Sequence, residues 1–307
     1  MIPAPTDSGA TPRSRWKLLA WLVPVVVLVV VAGVLFARFL REQPALIDFL
    51  ADYPGQSALP QSAPVGIPAW LAWQHGLNAF FLLFVVRSGL QLRRKQRPAA
   101  FFLRTNTGLL KTKNPPRRIG IELWLHLVVD TLFIANGVVY IVLLFATGQW
   151  VRLVPTRWDI VPNAFSAALQ YASLDWPTEN GWVNYNALQV LSYFAVVFLL
   201  APAAIATGLR MSPAFVRRDI RWFPLAPATR VHWWILVAFL VFTAVHVFLV
   251  LATGALRNLN HIYTATDSDS PAGLIVFVAT VVAMVVSVVL LKPPVLKALA
   301  GTMGAVK

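Results

Sequence analysis

Four of the five histidines in this 307-residue sequence fall inside long apolar stretches: His75, His126, His232 and His246. Imidazole nitrogen ligates transition metals and haem iron, and it carries protons near neutral pH. A polar ring at membrane depth is costly and usually faces the bundle interior. A single such histidine reads as a packing residue. Four at matched depths read as ligands. His232 and His246 share one apolar stretch, fourteen residues apart. A helix would separate them by about 21 Å along its axis and by only about 40° around it. One helix would then present two imidazoles at two levels of a bilayer.

Six segments are long and apolar enough to position these rings: Leu18 to Ala37, Ile67 to Val86 with a possible extension to Leu92, Ile119 to Thr147, Asn186 to Leu209, Ala228 to Thr253 and Ala272 to Leu291. The composition agrees, with 58% hydrophobic and 12% charged residues and a mean hydropathy of +0.68. An ordinary soluble enzyme or a disordered chain is excluded. Pro24 and Pro202 lie inside two spans, tolerable in lipid and each a potential kink. Arg13, Arg15 and Lys17 precede the first span as in a signal peptide. The apolar run is longer than a usual signal core and no clear small-residue cleavage site follows, so an uncleaved anchor is expected.

The formal net charge is +14, from 26 basic and 12 acidic residues. The N-terminal tail, the Arg87–Arg118 segment, the Arg210–Arg230 segment and the C-terminal tail together hold 21 of the 26 basic residues. The alternate loops hold the other basic residues and eight of the twelve acids, including Glu179, Asp267 and Asp269. The positive-inside rule therefore places both termini in the cytoplasm of a multi-pass cell-membrane protein. The basic face suits anionic lipid headgroups or an acidic partner. Nucleic-acid binding is not expected, because no other feature of such proteins accompanies the charge. The loops at 41–66 and 149–184 are external; Trp150, Trp158, Trp176 and Trp182 in the second suit an interfacial belt.

Chain direction then pairs the histidines. His126 and His232 fall on the cytoplasmic side, and His75 and His246 on the outer side. Two bis-imidazole sites stacked through a bundle suit two b-type haems, whose iron needs no covalent tether to the protein. Cysteine is absent, which excludes disulfides, thiolate-held clusters and covalent c-type haem. Zinc or copper would want three or four donors in one sphere. A histidine proton relay remains open, though it would not require the fourteen-residue spacing.

Several further residues carry chemistry. Asp130 lies one turn after His126 on the same face, and could serve protons to a quinone or bond near a haem. Glu122 is expected to snorkel or to pair with Arg117 or Arg118. Arg118, Arg210 and Arg230 end helices on the cytoplasmic side and are candidates for inner haem propionates; Arg152, Arg157 and Arg257 are the outer equivalents. His261, in an external loop, is expected at the surface, with a quinone or proton role as the sharper alternative. Gly76, Gly137 and Gly208 permit close approach of a helix or a macrocycle.

Residues 68–255 resemble the bacterial cytochrome b561 and nickel-hydrogenase-type cytochrome b superfamily, and most closely the thiosulfate-reductase-type cytochrome b subunits. The resemblance rests on Gln74-His75-Gly76-Leu77-Asn78-Ala79, on His126, on Tyr185-Asn186-Ala187-Leu188-Gln189, on Thr207-Gly208-Leu209-Arg210-Met211-Ser212-Pro213, and on Arg230-Val231-His232 through His246 to Thr253-Gly254. It implies an all-α membrane protein with a four-helix dihaem core and with His75, His126, His232 and His246 as haem ligands. It also implies electron transfer between a membrane quinone and a partner oxidoreductase, plausibly a molybdopterin enzyme. An extra span precedes the core here, which by charge count inverts it relative to the formate dehydrogenase arrangement. The family's quinone and partner sides are therefore not carried over. The expected organisation is residues 1–40 as tail and anchor, 67–255 as dihaem core, and 272–307 as a last span and tail. A stand-alone haem-dependent quinone oxidoreductase, oxidising superoxide or a small molecule, and a haem-free anchor or transporter are the alternatives.

Overall fold

The computed structural model describes residues 15–107, 111–176 and 180–307, with side chains from Ala20 onward. Arg13, the Arg15 and Lys17 side chains and Glu179 lie outside the described residues. Six helices are long and apolar enough to cross a membrane, as the sequence leads one to expect. They are α1 (Arg15–Arg41), α3 (Ala69–Arg93), α4 (Ile121–Ala146), the composite α6 to α7 (Ala187–Phe194 and Ala201–Met211), α8 (Leu225–Ala252) and α10 (Ala272–Leu290). The chain therefore reads as a multi-pass membrane protein, and the apolar side chains left exposed along α1, α8 and α10 face lipid.

The helices pair in chain order. α3 packs mainly along α4, and α7 along α8. α1 stands apart and touches chiefly two short helices, α2 (Pro44–Asp52) and α5 (Ile160–Ala172). Its C-terminal end is pinned to the end of α5: Arg38 donates to the Ser173 carbonyl at 3.0 Å, and Arg41 pairs with Asp175 at 2.7 Å.

The two prolines behave differently. α1 runs unbroken through Pro24. Between α6 and α7 the backbone widens into a π turn over Ala195–Leu200, and the Ala201 N–H reaches back to the Val196 carbonyl. The cause is Pro202, which has no N–H to donate and whose ring would press on the carbonyl four residues earlier. A wider turn relieves both problems.

Both ends of the bundle are built more fully than the sequence suggests. On the basic side, β1 (Phe101–Arg104) is central in a small antiparallel sheet between β2 (Ile119–Gly120) and β3 (Gly304–Val306). Phe101 and Lys307 exchange backbone hydrogen bonds at 2.8 and 2.9 Å, so the C-terminus sits on the same side as the Arg87–Arg118 segment. Beneath the sheet, Phe84, Phe102, Ile121, Trp124, Leu125 and Val129 pack with Leu296 of α11 (Pro293–Gly301). That cluster fixes α3 against α4 just where His126 stands.

The opposite side is capped by α2, α5, a 3-10 turn at Gln149–Arg152 and α9 (Ala255–Tyr263). The Tyr185–Gln189 motif has a structural task here. The Asn186 side chain accepts from Gln189 N–H at 2.9 Å, and the Gln189 side chain accepts from Asn186 N–H at 3.1 Å, which closes a capping box on α6. Asn186 is fully buried and also donates to the Tyr171 hydroxyl at 2.9 Å. Asn186→Ala is expected to cost about 1–2 kcal/mol, the cap together with a stranded buried group. The thermal midpoint in detergent should fall, and an unchanged midpoint would mean that the cap does not hold α6.

Candidate functional site

The four intramembrane histidines stand at two levels of the bundle, two at each. At the level farther from the basic loops, called here the outer level, His75 of α3 and His246 of α8 have ring centroids 6.1 Å apart, with planes tilted by 54°. Phe242 stacks on His246 at 5.5 Å, and Tyr193 meets its ring edge-on at 6.0 Å. Tyr263 of α9 meets His75 edge-on at 6.0 Å. Among the described residues no hydrogen bond reaches either ring, and His75 Nδ1 is buried without a partner. Such an orphan is uncommon in a folded interior.

At the level nearer the basic loops, called here the inner level, stand His126 of α4 and His232 of α8, with Asp130 one turn after His126. Here each ring is anchored. Ser88 of α3 lies 2.8 Å from His126 Nδ1 and donates its own proton to the Phe84 carbonyl at 2.6 Å. Thr207 of α7 lies 2.8 Å from His232 Nδ1 and donates to the Ala203 carbonyl at 2.7 Å. A hydroxyl has one proton. The tautomer sets the direction of these two contacts: in the form whose lone pair is on Nε2, the hydroxyl oxygen accepts from Nδ1–H and gives its own proton to the carbonyl. The next residue is glycine in each case, and an added Cβ at Gly89 or Gly208 would come within 3.5 Å of the Cε1 atom of His126 or His232. The two halves of the inner site thus share one design: hydroxyl and glycine on one helix, histidine on the next.

Ser88 and Thr207 are the residues that sequence reasoning missed in their role. A hydroxyl bonded back to its own helix is common and carries no signal alone. The usable signal was the dipeptide pattern, Ser88-Gly89 before the His126 span and Thr207-Gly208 before the His232 span. Between the two levels, Asn136 donates to Asn78 Oδ1 at 2.7 Å and ties α4 to α3 inside the membrane.

The charged residues distribute unevenly. Asp130 Oδ2 is 3.4 Å from His126 Nε2, one turn along α4, and pairs with that ring when it is protonated. Glu122 pairs with neither Arg117 nor Arg118; it accepts from the Ala99 N–H at 3.2 Å because the β1 loop folds over it. Arg117 instead donates to the Pro213 carbonyl, and Arg118 lies over the Phe101 ring at 4.1 Å. Arg210 is buried, with its three nitrogens on the Phe223, Phe215 and Arg218 carbonyls, where it shapes the loop between α7 and α8. Arg230 is exposed at the basic end of α8 and has no bonded partner among the described residues. Arg93, also at that end, lies over the Trp233 ring at 3.6 Å beside His232.

Outside, Arg157 pairs with Asp159, and Arg152 is fully buried against the Gly66 and Gly181 carbonyls and the Tyr185 ring. His261 is not at the surface. It lies in α9, buried under the Trp182 ring at 5.3 Å, because α9 folds back between the outer loop and α10. Its Nε2 meets Asp267 Oδ1 at 2.8 Å, and both edges of the Arg257 guanidinium close on the same carboxylate. The Arg257 bonds first, and the His261 bond second, hold the Asp267 carboxyl well below the usual carboxylate range. A depressed folded value means that this clasp stabilises the fold fully above the unfolded carboxylate pKa, near 3.9, and fades as pH falls below it. Asp267→Asn should therefore lower the melting midpoint at pH 7 and narrow its gap to the parent near pH 3. A gap that stays constant with pH would contradict the ionic clasp.

Among the described residues, no three His, Asp or Glu side chains converge as a bare metal site would require. The arrangement is two and two, separated by about 21 Å along α8. No protein-family model, curated protein or solved structure matches the chain.

Proposed function

We propose that the chain is a dihaem cytochrome b that carries electrons through the membrane between a quinone and a partner oxidoreductase. The observation that carries this reading is the opposition of His75 and His246 at 6.1 Å with no hydrogen bond to either ring. His75 and His246, on different helices and this close, would be able to hold one metal between them. A metal with only two protein donors needs its other positions filled by a macrocycle, and a b-type haem does this without a covalent tether.

At the inner level the residues fit the same group. Held as ligands through Nε2, His126 and His232 would turn Nδ1–H to Ser88 and Thr207, each 2.8 Å away. This is the arrangement by which proteins set the tautomer and orientation of a ligating histidine. Gly89 and Gly208 keep the imidazole edges free of side chains. Bound there, haem would supply one-electron iron chemistry. The chain's own part is to orient the four rings, to exclude water with apolar helices, and to hold the two levels at a fixed separation.

On the basic side, Arg93, Arg118 and Arg230 are exposed or stacked on aromatic rings, so their charge remains available to propionates. Arg210 serves the loop carbonyls instead. The charge asymmetry supports an orientation with this side in the cytoplasm. Quinone as the redox partner in the membrane, and a molybdopterin enzyme as the companion subunit, come from the cytochrome resemblance.

The test is pyridine haemochrome quantification of the purified chain with a reduced-minus-oxidised spectrum. Two b-type haems per chain are expected. A chain purified without b-type haem, and unable to take it up in the membrane, would overturn the reading.

A further inference from the structure

The two histidine pairs differ in what holds their rings, and the difference has electronic consequences. Resting on the dihaem reading above, we propose that the pairs hold haems of unequal potential, the His126–His232 site the lower and the His75–His246 site the higher. Ser88 and Thr207 are then positioning residues that set this order.

The chemistry follows from the hydrogen bonds. An Nδ1–H that donates to an oxygen gives its imidazole partial imidazolate character. Such a ring is a more basic ligand, and it favours ferric over ferrous iron. With Nε2 on the metal, both inner rings would make this bond to a hydroxyl 2.8 Å from Nδ1. Each accepting hydroxyl also donates to a carbonyl of its own helix, which polarises the oxygen and strengthens its acceptance. Ser88 is fully buried and Thr207 nearly so, so no water competes for either bond. Among the described residues neither outer ring has a hydrogen-bond acceptor, and His75 Nδ1 is buried without a partner.

A second, independent observation has the same sign. Arg152 is fully buried, has no acidic partner among the described residues, and lies over Tyr185 at 4.7 Å. Tyr185 contacts Tyr193 at 5.4 Å, and Tyr193 contacts His246 at 6.0 Å. A fixed cation two rings away, in a medium of low dielectric, favours the reduced form of the outer site. The contrast needs the hydroxyls and Arg152 only, whatever proton Asp130 carries. One electron moved from the inner to the outer site oxidises the first and reduces the second, and these side chains exchange no proton. A singly reduced protein would hold its electron at the outer pair.

The experiment is a potentiometric titration of the haem-loaded full-length chain, after haem content has been measured. The parent should show two one-electron waves. In Ser88→Ala and Thr207→Ala the lower wave should move up and the upper should stay in place. Thr207→Ser, which keeps the hydroxyl, should leave both waves unmoved. If an alanine variant sheds one haem instead, the wave that vanishes must be the lower one. In Arg152→Gln the upper wave should move down. A single unsplit wave, movement or loss of the upper wave in the Ser88 or Thr207 variants, or no movement in both alanine variants would overturn the proposal while leaving two haems, and so the dihaem reading, intact. A chain without haem would overturn both.

Discussion

An imidazole in hydrocarbon has two nitrogens and no water to satisfy them. Each unsatisfied polar group at that depth costs several kcal/mol. Four such rings on three helices therefore constrain the rest of the bundle. At the inner level one nitrogen of each ring is met by a hydroxyl on the preceding helix, which requires α3 beside α4 and α7 beside α8 at close range. Gly89 and Gly208 allow that range. At the outer level the described residues supply aromatic rings and no hydrogen bond, and His75 Nδ1 is buried without a partner.

The supporting parts hold these contacts in register. α8 acts as a ruler, since one helix carries a histidine of each level. α3 contributes at both levels, with His75 at one end and Ser88 at the other. The sheet that joins the C-terminus to the α3–α4 loop clamps the inner end, and the Asn186 cap with the Arg257–Asp267–His261 clasp clamps the outer end. The π turn before Pro202 lies along the path from Asn186 to Thr207. It lets α6 and α7 serve both clamps despite the proline.

The spans were legible because lipid imposes a length and a composition that few other environments do. The proximity of His75 to His246 was legible because depth in a bilayer is a single coordinate that chain direction fixes. The placement of Ser88 and Thr207 was not, since a helix rotates its side chains by 100° per residue and partner faces depend on packing. Strands as short as Ile119–Gly120 and Gly304–Val306 leave no periodicity to read. His261 reads as a surface residue until α9 is seen to fold back under Trp182. Glu122 missed its expected arginines because a backbone N–H of the folded loop was nearer.

The account rests on ligand pairs that cross the bundle at two depths. Electron paramagnetic resonance of the oxidised, haem-loaded protein tests this directly when applied to the four single His→Ala variants. His75→Ala and His246→Ala should remove one and the same low-spin ferric signal. His126→Ala and His232→Ala should remove the other. Any different grouping, such as His75 with His126, would contradict the pairing and the reading built on it.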